Sequence, residues 1–397
     1  MAPLPGDHRE VVPAAIDDLN TWWAENFPKL YGAEYSPVQK VVAGNPGTTL
    51  PRCFRQGTGR YRDVAGNAFY CPDGQDFIAY DDASLFAELT TEYGSAAAAV
   101  VIAHEWGHAI QWRARVDEQS VIMEQQADCY AGAWTGHAMN DSDALVKIPT
   151  AELPRVLGAM ISVADTKGVS ANNPQAHGSG FDRASAFQDG FVNGPKACVD
   201  YPTNPPTVLQ FPFTTQSDLI NGGNLPLNQT LDLMVRDLDM YWAQEFTASG
   251  AAWTQLGPVV PVGDSRACAT ESVAYCGSTS SVAFDPAFIE KAYRTGDFAV
   301  GVQFGLVWAQ AALQVEGSGA NGKQRRLRQD CYVGAWASDQ LPDRQTTDSK
   351  RLTLSPGDLD EAVISFVAQS SDGGDPVFDR LSSFRSGLLG GRSACKV

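Results

Sequence analysis

Residues 124–134 read EQQADCYAGAW and residues 326–336 read RLRQDCYVGAW. From Asp128 to Trp134 and from Asp330 to Trp336 the strings differ only at Ala131 against Val333. A repeat of this kind constrains the architecture more than any local propensity, since two copies of a segment imply two copies of the fold that needs it. The match extends along the chain. Trp23 in WWAENF answers Trp242 in MYWAQEF at an offset of 219, and Cys71 in FYCP answers Cys276 in AYCG at 205. FDRASAFQDGF (181–191) answers FDRLSSFRSGL (378–388) at 197, the offset that also relates Cys198 to Cys395. Drifting offsets are what loops of changing length produce. At 397 residues the chain is also long enough for two domains.

Each of the eight cysteines has a counterpart in the other copy: Cys53 and Cys268, Cys71 and Cys276, Cys129 and Cys331, Cys198 and Cys395. Four per copy leave three pairings open. The favoured one is Cys53–Cys71 with Cys129–Cys198, mirrored by Cys268–Cys276 with Cys331–Cys395. An even, doubled set of cysteines with no C-x-x-C pair points to disulfides and an oxidising compartment. Residues 199–227 hold five Pro and an NGGN turn, the composition of a linker. The expected organisation is a first domain at 1–198, a Pro-rich linker at 199–228 and a second domain at 229–397. Each copy reads as an aromatic first helix (12–27, 229–246), a hairpin, an Ala-rich helix (96–115 in the first), the DCY helix and further helices. Helices thus predominate around a small sheet, an α+β class. DFIAYDD at 76–82 is expected to present a free strand edge to an extended substrate.

A net charge of −17 argues against nucleic acid or an anionic membrane as partner. No apolar run reaches the length of a membrane span, and the opening residues have neither the positive nor the apolar region of a signal peptide. The expected location is extracellular or in the cell envelope.

Two of the five His lie in HEWGH, 104–108. On a helix, His104 and His108 stand one turn apart and can share a metal ion, with Glu105 adjacent to handle the proton of a metal-activated water. A third ligand is needed, and EQQAD offers Glu124, with Asp128 one turn on to accept the other N–H of a ligand His. His177, before a Gly-rich turn, is the candidate second donor to an oxyanion. Arg183 reads as half of a structural ion pair, because Arg380 stands at its counterpart. His8 and His137 belong to no constellation and are expected at the surface.

Together, Cys53…FYCP, HEWGHAIQ, EQQADCYAG and HGSGFDRASAF resemble the bacterial family called putative neutral zinc metallopeptidases, over residues 12–198. More broadly, HExxH followed by ExxxD resembles thermolysin-type enzymes. The resemblance implies a zincin-like fold, one Zn2+ per chain held by His104, His108 and Glu124, Glu105 as general base, and Asp128 behind His104. Ala109 and Ala186 depart from the family pattern without touching a proposed ligand.

The second copy lacks His altogether. Aligning HEWGHAIQ with QFGLVWAQ puts Gln303 at His104, Phe304 at Glu105 and Val307 at His108. Arg326 stands at Glu124, Gly374 or a neighbour at His177, and Asp330 at Asp128. The expectation is a secreted zinc endopeptidase acting on protein or peptide substrates, followed by a pseudopeptidase domain that is structural or binds a substrate or partner. The alternative is a zinc-containing binding or scaffold protein with little proteolytic activity.

Overall fold

A computed structural model describes residues 4, 6–53, 57–72, 74–174, 176–344, 351–371 and 376–396. The architecture is mixed and helix-rich, with 56% of the described residues helical beside two small sheets. The chain divides into two compact units, Met1–Gln210 and Phe211–Val397.

In the first unit, α1 (His8–Tyr31) begins where the Asp7 carboxylate accepts the Arg9 N–H at 2.9 Å and ends at Gly32, whose φ of 67° turns its N–H back onto Pro28. Val11, Ala15, Leu19, Trp23 and Phe27 recur at helical spacing and are buried. β1 (Lys40–Gly44), β2 (Ala68–Cys71) and β3 (Phe77–Asp81) form a sheet of order β1-β3-β2, β1 parallel and β2 antiparallel to β3. The expected free edge of DFIAYDD is therefore corrected. β3 is the central strand, paired on both sides with all five residues buried, and β2 is an edge. Alternation along one strand does not report its place in a sheet.

Asp81 ends β3 and starts the turn into α2 (Leu85–Tyr93). Fully buried, it accepts hydrogen bonds from the Tyr61 hydroxyl at 2.9 Å, the Gly66 N–H at 2.6 Å, the Ala83 and Ser84 N–H groups at 3.0 Å, and the Ser84 hydroxyl. Burial pushes its carboxyl up, but these donors outweigh burial and hold it well below the usual carboxylate range.

α3 (Ser95–Ala114) is buried over most of its length, its alanines at 96–99 letting neighbours pack close. α4 (Ser120–Asn140) packs on it, followed by α5 (Leu153–Ser162), α6 (Gly180–Asn193) and α7 (Pro195–Val199). A Cβ on Gly132 of α4 would fall 1.9 Å from the Phe187 carbonyl oxygen, and one on Gly190 of α6 would fall 1.8 Å from that of Cys129. The two backbones therefore touch, which only glycine permits. Trp134 fixes α4 to α1 by donating to Asp18 at 2.7 Å. His8 and His137 depart from their expected surface positions. His8 is buried beside Asp82 at 2.9 Å, and His137 is buried between Asp18 and Asp141 with its ring stacked on Trp22.

The second unit contains α8 (Gln216–Asn221), α9 (Leu227–Ala248), β4 (Val259–Pro261), β5 (Val273–Cys276), β6 (Ser281–Phe284), α10 (Pro286–Tyr293), α11 (Asp297–Val315), α12 (Gly322–Asp339), α13 (Asp358–Ser371) and α14 (Val377–Gly390). Its sheet order is β4-β6-β5, with β4 parallel and β5 antiparallel to β6. Contacts of the first unit recur at aligned positions: Trp336 donates to Asp237 at 2.9 Å, and added Cβ atoms on Gly334 and Gly387 would lie 2.0 and 1.9 Å from the Phe384 and Cys331 carbonyls. Against the expectation that no run reaches the length of a membrane span, α11 is, among the described residues, a helix long and apolar enough to cross one by length and composition; most of it is buried within the unit. All eight cysteines pair at disulfide distance as Cys53–Cys71, Cys129–Cys198, Cys268–Cys276 and Cys331–Cys395, which fits an oxidising environment.

Candidate metal centre

α3 and α4 cross where Gly107 meets Ala127. A Cβ on Gly107 would lie 2.7 Å from the Ala127 Cα, so glycine between the two His lets α4 bring Glu124 up to them. His104 Nε2 and His108 Nε2 are 3.2 Å apart, and Glu124 oxygens lie 3.2 Å from the first and 3.4 Å from the second. One donor atom from each of His104, His108 and Glu124 falls within 4.8 Å of the others. Glu105 is buried beside them on a cavity of about 850 Å³ that they line with Phe69, Tyr70, Trp112 and Met123.

The groups behind the donors fix their orientation. His104 Nδ1 lies 2.7 Å from Asp128 Oδ1, so an N–H on Nδ1 donates there and Nε2 is the nitrogen turned towards Glu124. Asp128 is fully buried, and Arg183 donates to both its oxygens at 2.8 Å while a third N–H reaches the Val163 carbonyl. The ion pair expected of Arg183 thus has Asp128 as its partner. His108 Nδ1 lies 2.9 Å from the Gln111 side-chain oxygen, and the Gln111 amide donates to Met123 O on α4 at 2.5 Å. Gln111 was not singled out from the sequence, although its place one helical turn past His108, on the same face, was a usable signal.

The electrostatics favour positive charge at this point. Burial opposes protonation of His104, yet Asp128 and then Glu124 carry its imidazole up to about 10. His108 is likewise raised by Glu124 against burial. Burial pushes Glu124 up, but the two imidazoles hold it well below its ordinary value. Glu124 Oε2 is buried and accepts no hydrogen bond. Two imidazole nitrogens and an orphaned carboxylate oxygen form a donor set that fits zinc.

His177 lies on the wall of the same cavity, more exposed than the ligand candidates. Asp165 holds it: Oδ1 is 3.1 Å from its Nδ1, and Oδ2 accepts the His177 and Gly178 N–H groups at 2.8 and 3.1 Å. Nε2 is thereby left as the outward nitrogen. Asp165 also escaped the sequence reading, since nothing local ties residue 165 to residue 177.

In the second unit Gln303, Val307 and Arg326 line a smaller cavity with Asp330 and Arg380. Arg380 donates to both Asp330 oxygens at 2.7 and 2.9 Å, as Arg183 does to Asp128. Phe304 is fully buried against Trp308 and Phe284. Gly374, the position aligned with His177, lies outside the described residues.

Residues 6–201 match the family described as Putative neutral zinc metallopeptidase. The chain is 31% identical over 212 residues to the uncharacterized protein YpfJ of Escherichia coli, covering 47% of this chain and 68% of that one. It is 32% identical over 187 residues to the uncharacterized protein Rv2575 of Mycobacterium tuberculosis, covering 38% and 63%. No solved structure matches it.

Proposed function

Since the chain belongs to the putative neutral zinc metallopeptidase family, we propose that its first unit is a secreted, zinc-dependent endopeptidase of zincin-like fold. One observation carries the reading: His104, His108 and Glu124 converge beside the buried Glu105 on the wall of a cavity of about 850 Å³. His104 Nε2, His108 Nε2 and Glu124 would hold the ion. Bound there, zinc supplies Lewis acidity and brings the pKa of water to about 7.

The remaining steps belong to the chain. Glu105 takes a proton from the attacking water and returns it to the leaving amine. His177, its Nδ1–H engaged by Asp165, acts in its doubly protonated form and donates from Nε2 to the oxyanion that develops on the scissile carbonyl. Asp128 and Gln111 keep both imidazoles with Nε2 towards the metal position. The edge strand β2 lines the cavity and offers backbone groups to an extended peptide. The second unit, in this reading, is a pseudopeptidase domain descended from a tandem duplication.

The test is metal analysis with cleavage of casein or a peptide library by the wild type and Glu105→Gln. We expect one zinc per chain in both proteins and cleavage by the wild type alone. Bound zinc with no cleavage by the wild type would turn the reading to a zinc-containing scaffold.

A further inference from the structure

In the second unit, α9 and the segment that leads into β4 border a cavity of about 690 Å³, within the range of sites for small molecules. Asp232, Val235, Arg236 and Asp239 line it at helical spacing, so one face of α9 supplies a wall. Leu256, Val259 and Phe284 add apolar surface.

Asp239 is the buried acid of this wall, only 7% exposed. Its Oδ1 accepts the indole N–H groups of Trp308 at 2.8 Å and Trp253 at 3.3 Å. Its Oδ2 is buried as well and accepts no hydrogen bond. Asp237, two positions earlier, is also buried, but Arg351 pairs with it at 2.7 Å and Trp336, Gln340 and the Leu352 N–H donate to it. Among the described residues Asp239 has no such cation; Arg236, exposed on the same wall, forms no ion pair with it.

The first copy sharpens the contrast. The offset of 219 that relates Trp23 to Trp242 sets Asp237 at Asp18 and Asp239 at Asn20. Asn20 is a neutral amide whose oxygen accepts the Tyr35 hydroxyl at 3.3 Å. The acid that ties helices together is thus common to both units, whereas the carboxylate on the cavity belongs to the second alone.

A buried carboxylate oxygen without a donor costs free energy that an occupant bringing one recovers. We propose that the cavity binds a primary alkylammonium group, which donates to Asp239 Oδ2 while its carbon chain lies against Val235, Leu256, Val259 and Phe284. An ammonium supplies both the missing donor and the compensating charge, and the exposed Asp232 adds to the attraction. A hard metal ion would want about six oxygen ligands, which this largely apolar wall does not offer. A lysine side chain of a peptide, a peptide N-terminus and a free aliphatic amine share the chemistry. This binding role is separate from peptide hydrolysis in the first unit and does not depend on it.

The test is calorimetric titration of the full chain with hexylamine and with hexanol, which match in length and differ in charge. Nα-acetyl-lysine amide and leucine amide stand for a peptide side chain and a peptide N-terminus. Asp239→Asn and Val235→Trp are made separately, and the difference from the wild type isolates this cavity from the first unit. Val235→Trp fills the cavity while leaving the carboxylate in place, so it still decides the matter if Asp239→Asn disturbs folding.

Hexylamine is expected to bind at least about tenfold more tightly than hexanol and about tenfold less tightly to Asp239→Asn. Val235→Trp should abolish the binding, with thermal unfolding of both variants unchanged. Binding of acetyl-lysine amide as tightly as hexylamine would identify a peptide lysine as the source, and of leucine amide a chain terminus. Binding of hexylamine alone would identify a free amine, and each of these upholds ammonium recognition. Hexanol binding as tightly as hexylamine overturns the proposal. So does an affinity unchanged in Val235→Trp or in a folded Asp239→Asn chain, or no binding of any amine at millimolar concentration.

Discussion

Gln111 does for His108 what Asp128 does for His104: each accepts a hydrogen bond from Nδ1–H and leaves Nε2 facing the candidate metal position. Their loss should therefore weaken the ion without removing a ligand. Gln111→Ala is expected to lower zinc affinity roughly 10- to 100-fold, read by competition with a chromophoric chelator. An unchanged affinity would mean that the helix alone orients His108. The convergence of His104 and His108 was legible because i, i+4 spacing is a local property of a helix. Glu124 was legible through its motif. Asp165 and the partner of Arg183 became visible only in three dimensions, since each acts across a loop or between helices. His8 and His137 were misjudged for the same reason, because the acids that bury them come from Asp82 and Asp18, far away in sequence.

At the scale of elements, glycine contacts and one aspartate position the site. Gly132→Ala would drive a methyl group into the Phe187 carbonyl and part α4 from α6, the helix that carries Arg183 to Asp128. The expected cost is about 3 kcal/mol, measured by urea unfolding. A cost below ~1 kcal/mol would show that the crossing relaxes easily. Asp81 makes a prediction about pH. Its carboxyl lies lower in the folded chain than the ~3.9 of an unfolded aspartate, so it stabilises the fold above that value. This contribution is lost as pH falls towards the folded value. Asp81→Asn should cost about 2 kcal/mol at pH 7, with the gap to wild type narrowing below about pH 4. A gap independent of pH would sink the assignment. The helices were largely readable from apolar periodicity, but the order of strands was not: β3 becomes central through pairing with β1, thirty-odd residues before it.

For the whole molecule, the repeated DCY segment was the most informative stretch of sequence, because similarity at long separation needs no knowledge of the fold. The same doubling made the disulfide partners legible. Cys129–Cys198 closes a separation of 69 residues, so replacing both with Ser should destabilise the first unit by about 4 kcal/mol, seen as a lower denaturation midpoint. Little change would mean that the packing of α4 on α6 suffices. The Asp330–Arg380 pair leaves the second unit open to rewriting. The acid that would orient a ligand imidazole is still buried and still neutralised by its own arginine, with no ion required. A handful of letters at the donor positions thus separates the second unit from the first. On the function proposed above, Gln303→His, Val307→His and Arg326→Glu together should add one bound metal ion per chain, read by metal analysis, so that a centre could be installed in the second unit by three exchanges.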